Sequence, residues 1–188
     1  MKVFKKLQFI VVASVSMMIV RYAHGETQTS FSVININIHQ PVQEQNLVRA
    51  MELVDRSMEV YFSADRQAMY RFYNPDTKVR PEEKASVWMY SASIEAINAI
   101  LNGLRQQKEK GNHGLFDKHY KRYVDLLAQL HENAAYYLGN FNLISFTQTK
   151  DWTVYAVDRA REKGGANVTG ILNVYDDQMW MIRELIEA

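Results

Sequence analysis

Val87-Trp88-Met89-Tyr90-Ser91-Ala92-Ser93-Ile94, continued by Ile97, Ile100, Leu101 and Leu104, is the stretch whose reading fixes the fold class. It is apolar or small nearly all the way round, and a helix of that kind is surrounded by protein. The expected helix starts near Pro81, where proline suits a first turn and Glu82 and Glu83 meet the positive end of the helix dipole. It runs to about Lys110, with Trp88 in the core, and Gly111 and Asn112-His113-Gly114 break the chain. A second stripe follows from Leu115 to about Leu138 through Phe116, Tyr120, Tyr123, Leu127, Leu130, Ala134 and Tyr137, with Gly139 as its stop. So short a break makes the two helices an antiparallel hairpin.

Working outward, Leu47, Ala50, Met51, Val54, Met58, Tyr61 and Phe62 fall three and four apart, which marks another helix over 44–62. The stretch from Asp65 to Pro81 contains the turn signal Asn74-Pro75-Asp76 and reads as a long connection. Beyond Asn140 the helical period fails until about Asn173, and long irregular segments in compact domains are often functional. A last helix begins near Tyr175 and reaches Ala188 without glycine, proline or a basic last turn, so it reads as cut rather than finished.

The first 25 residues form a separate unit. Three lysines within Met1–Lys6, the apolar run Leu7–Val20, and Ala23 and Gly25 before a cleavage point make a secretory signal peptide too short for a comfortable membrane span. The expectation is an exported protein, in the periplasm, at the cell surface or secreted, with no membrane span once the signal is removed. Residues 26–43 read as an N-terminal arm, with a short alternating strand pattern over Val33–Ile38. Without cysteine there is neither a disulfide nor a lipid-modified cleavage site, so stability comes from packing. Apolar residues at 47% and charged ones at 23% place the remainder among globular chains, and 188 residues suffice for one domain. A net charge of +1 with the signs interspersed leaves no basic stripe for nucleic acid.

Several chemistries drop out on spacing. His24, His39, His113, His119 and His131 include no pair four apart on one helical face, so no metal site is expected, and nothing calls for a cofactor. No serine stands in a nucleophile elbow, and Gly164-Gly165 lacks a phosphate-loop frame. Asn167-Val168-Thr169 matches a glycosylation sequon, a triplet that is common by chance. The remaining feature is the pair Asp176-Asp177 at a helix start, which is where a plain N-terminal cap also belongs. Tyr175, Trp180 and Trp152 surround the pair with aromatics, and a sugar ring presents C–H faces that stack on such rings. Retaining glycosidases need two carboxyl groups about 5–5.5 Å apart. Neighbouring residues, with Cα atoms about 3.8 Å apart, can meet that separation. Two close carboxylates cannot both ionise easily, which separates an acid from a nucleophile.

Asn173-Val174-Tyr175-Asp176-Asp177-Gln178-Met179-Trp180, with Ile182-Arg183-Glu184-Leu185 behind it, resembles the signature of glycoside hydrolase family 76, the α-1,6-mannanases. Trp152-Thr153-Val154-Tyr155-Ala156-Val157 and the helix from Val87 to Leu104 are similar to parts of bacterial members, so the resemblance spans 44–188. It implies an all-α fold of the (α/α)6 six-hairpin barrel type, and endo-hydrolysis of α-1,6-mannan with retention of configuration. Asp176 would be the nucleophile and Asp177 the general acid/base, with a mannan-type polysaccharide or oligosaccharide as partner. The sequence offers four or five helices, so the barrel is expected to be incomplete, as the N-terminal part of a domain. The alternative is a truncated, non-catalytic helical protein that binds glycan or another copy of itself.

Overall fold

A computed structural model of the chain describes residues 42–144, 146–169 and 175–188. The expected signal peptide and nearly all of the N-terminal arm lie outside these residues. The described elements are α1 (Val42–Tyr61), α2 (Val87–Glu109), α3 (Gly114–Ala134), a 3-10 turn (Ala135–Tyr137), β1 (Leu138–Ile144), β2 (Thr149–Tyr155) and α4 (Tyr175–Glu187). The described residues are mainly helical, with one antiparallel hairpin among them. The helical class stands, and the hairpin is a small addition to it at the segment where the sequence shows only a failing helical period.

Helix α2 is the spine. Val87, Tyr90, Ile94, Ile97, Ile100, Leu101 and Leu104 are buried, and α1, α3 and α4 all pack on it. Helices α2 and α3 run antiparallel as expected: the Tyr90 hydroxyl donates to the Leu130 carbonyl at 2.8 Å near one end, and Arg105 Nε donates to the Tyr120 hydroxyl at 2.9 Å near the other. Gly111 takes a φ of +85° between them, a left-handed conformation that glycine adopts at little cost. Tyr123 fixes α1 alongside, its hydroxyl donating to Met51 O at 3.3 Å and to Asp55 at 3.1 Å. Burial of about 20 side chains would need little else, but each buried tyrosine also finds an acceptor, as buried hydroxyls must.

Three expectations need correction. Helix α2 starts at Val87 and not near Pro81, because residues 83–85 are extended: Arg71 N donates to Glu83 O at 3.0 Å and Ala85 N to Met69 O at 2.9 Å. Ser86 then caps the helix, accepting from Met89 N. Nonlocal backbone pairing overrides the local start signal. Trp88 is 51% exposed and not core, since it falls with Ala92, Ala99 and Asn102 on a seam of α2 that no element among the described residues covers. Gly139 is not a helix stop either. It lies in β1, where a Cβ would stand 2.0 Å from the Ala166 carbonyl oxygen, so the loop after β2 packs flush only against a glycine.

Strands β1 and β2 pair from Leu138↔Tyr155 to Ile144↔Thr149. The 3-10 turn then becomes a docking rail for the following loop: Ala156 N, Ala160 N and Gly164 N donate to the carbonyls of Tyr137, Tyr136 and Ala135. A small second apolar cluster of Ala156, Ala166 and Val168 lies beneath, touched by Phe141 and Val154. Among the described residues no helix is long and apolar enough to cross a membrane.

Candidate functional site

Asp176 and Asp177 occupy the first turn of α4, and the helix places them in opposite surroundings. With 3.6 residues per turn, Asp177, Met181 and Glu184 share one face, and all three are buried against the body. Asp176 lies one position earlier and faces solvent. Its Oδ1 accepts the N–H of the next residue, Asp177, at 3.1 Å, so the pair is linked directly and not by the usual cap bond two or three residues on. Asp177 is 8% exposed, and its carboxyl makes no hydrogen bond or ion pair among the described residues. Burial, and then the neighbouring Asp176 charge, raise its pKa above the ordinary carboxyl value. A carboxyl so placed holds its proton to higher pH than an ordinary one.

The N-terminal end of α4 is tied to the hairpin by Gln178. Its Oε1 accepts from Tyr155 N at 2.7 Å, and its Nε2 donates to Tyr155 O. The middle of α4 is tied to α2 by polar groups that the apolar pattern does not reveal. Asn98 Nδ2 donates to the Glu184 main-chain carbonyl at 3.0 Å and to its carboxylate at 3.1 Å. Arg183 Nε donates to Glu184 Oε1 at 2.7 Å, and Arg183 forms an ion pair with Glu95 at 3.0 Å. Burial raises the Glu184 pKa although Arg183 and Asn98 oppose it. The apolar pattern does not mark this cluster, yet it leaves a signal: Asn98 is a polar residue on the buried face of α2, and Glu184 stands seven residues after Asp177 on the same face of α4.

The aromatic residues divide. Tyr175, 79% exposed, and Trp180 ride on α4 with the pair, and the Arg183 guanidinium lies 4.2 Å from the Trp180 ring centroid. Trp152 stands on β2, three residues before Tyr155, which is about 10 Å along a strand. Odd spacing puts it on the opposite face of the strand from Tyr155. Tyr155 packs on the helical core, whereas Trp152 is partly exposed with Lys150 Nζ 4.5 Å above its ring. The structure therefore unites Tyr175, Asp176, Asp177 and Trp180 on one helix and sets Trp152 apart. Two surface concavities of the described residues lie elsewhere, one beside Arg66, Arg122 and Gln129, the other in the loop around Asp158, Arg161 and Asn167. Among the described residues no three His, Cys, Asp or Glu side chains gather as a metal would require. No family model, no curated protein and no solved structure matches the chain.

Proposed function

We propose that the protein is an exported, retaining glycoside hydrolase of the α-1,6-mannanase type, endo-acting, built on a helical scaffold of (α/α)6 type. The observation that carries the reading is the division of two adjacent carboxyl groups at one helix start. Asp177, buried and raised in pKa, suits the acid that protonates the glycosidic oxygen. Asp176, exposed and beside the positive end of α4, suits the nucleophile that attacks the anomeric carbon. In the first step a C–O bond forms to Asp176, the glycosidic C–O bond breaks, and the Asp177 proton leaves with the departing sugar. In the second step Asp177, now ionised, takes a proton from water, whose oxygen displaces Asp176 and restores the original configuration. Tyr175 and Trp180 offer ring faces to the sugars nearest the pair, and Trp152 serves a more distant one. The test is hydrolysis of α-1,6-mannan by the purified protein: Asp176→Asn and Asp177→Asn should each remove nearly all turnover. Full activity in both variants would sink the assignment.

A second reading, a non-catalytic helical glycan-binding protein completed by another copy of itself, is favoured by one feature of α4. Tyr175, Met179, Ile182 and Ile186 recur at spacings of four, three and four, all on the exposed side. That is the seam along which helices associate. It predicts mannan binding without turnover, together with a dimer by light scattering.

A further inference from the structure

We propose that Gln178 is the positioning residue of the Asp176–Asp177 pair, its carboxamide locking the first turn of α4 to the outer edge of β2 at Tyr155. The proposal rests on the reading of the pair as acid and nucleophile.

In an antiparallel ladder the N–H and C=O of one residue point to the same side of the strand. Leu138 is opposite Tyr155, and the Leu138 carbonyl accepts instead from Ala166 N at 2.9 Å. The two main-chain groups of Tyr155 thus face away from β1, along an edge that would otherwise be open. A glutamine carboxamide carries one donor and one acceptor at the spacing of a peptide group, and Gln178 presents both to Tyr155. Glutamate lacks the donor when ionised, and asparagine is a methylene shorter. Gln178 therefore does for this edge what a third strand would do, and it does so from the residue next to Asp177.

Helix α4 has a second anchor, Asn98 to Glu184, two turns farther on. The anchors differ in what they fix. Asn98 holds the middle of α4 on α2 and would keep the helix docked by itself, with Met181 fully buried between. Among the described residues Gln178 is the tie to another element within a turn of the pair, so it sets how deep the Asp177 carboxyl sits. Among the described residues Asp176 is the charged group that acts on that carboxyl, and Tyr155, itself raised in pKa by burial, is the titratable residue of the facing strand that Gln178 pairs with, Lys150 and Asp151 lying farther along it.

The test compares Gln178→Ala with Asn98→Ala in the full chain. Three quantities are read: amide hydrogen exchange at Tyr155, titration of the Asp177 carboxyl by carbon NMR, and turnover of α-1,6-mannan. Gln178→Ala should expose the Tyr155 amide, move the Asp177 titration toward the ordinary carboxyl range, and lower kcat about 10- to 100-fold with KM little changed. Asn98→Ala should lower thermal stability while leaving the Asp177 titration where it was. Should Gln178→Ala fail to fold, Gln178→Glu, which keeps size and acceptor but loses the donor, is read in the same three ways. A native Asp177 titration in the folded Gln178 variant overturns the proposal, whatever happens to turnover. Absence of turnover in the unaltered chain overturns the enzymatic reading instead, and the exchange and titration measurements still judge Gln178.

Discussion

In the helical body Ile94, Ile97, Leu104 and Leu130 are wholly buried, and even its polar side chains reach inward, Tyr90 to the Leu130 carbonyl and Tyr137 to that of Ala85. In the hairpin the order is reversed. Thr149–Thr153 are all exposed, and side chains meet across the strands through polar contacts such as Thr153 Oγ1 to Asn140 Oδ1 at 2.7 Å. The body is held by apolar surface removed from water, and the hairpin by its backbone ladder, by the loop folded under Gly139 and by Gln178 at its edge. Helix α4 belongs to both: Met181 enters the body's core while Gln178 pairs with the strand. The candidate pair sits at that join, where a small change in either region moves the carboxyls.

The largest expected effect lies in the body. Ile97→Ala should cost about 2–5 kcal/mol in chemical denaturation, because it removes buried methyl groups and leaves a cavity. Thr153→Ala on the exposed hairpin should stay within about 0.5 kcal/mol. Equal losses in the two would erase the contrast between the regions. Gly139→Ala comes next, at about 1–3 kcal/mol, since the new methyl cannot share space with the Ala166 carbonyl and the loop must move. Its signature should be faster amide exchange at residues 156 and 166 with the α2–α3 pair unchanged, and a uniform loosening would show that the hairpin is not a separable layer.

A smaller change, opposite in sign, is expected at the join. The folded chain holds the Asp177 proton more tightly than the unfolded chain does, so this group's contribution to stability falls as pH rises from about 3.8 through the raised folded value. Asp177→Asn should therefore unfold at a higher temperature than the unaltered chain at neutral pH, with the gap closing in acid. A lower midpoint for the variant at neutral pH would mean that the buried carboxyl is stabilising after all. The smallest effect belongs to Arg71→Ala, which breaks the exposed ion pair to Glu83 at 2.6 Å. That pair should contribute about 0–1 kcal/mol and less in high salt, so a larger loss would show that the 69–71 and 83–85 pairing depends on it.

The sequence by itself determined the helical body and the place of the candidate pair. A helix repeats its buried face every three or four residues, so Met51, Met58, Tyr123, Leu127 and Leu130 announce their partners without knowledge of the fold, and a pair of aspartates at a helix start marks itself by position. Only the tertiary structure decided the rest. The hairpin has exposed residues through most of β2 and so no alternating pattern to read. The late start of α2 follows from pairing with residues 69–71, a contact that no local signal encodes. The role of Gly139 depends on a carbonyl 27 residues away. The different surroundings of Asp176 and Asp177 arise because α4 turns one of them inward and the other toward water, which adjacent letters in a sequence cannot express.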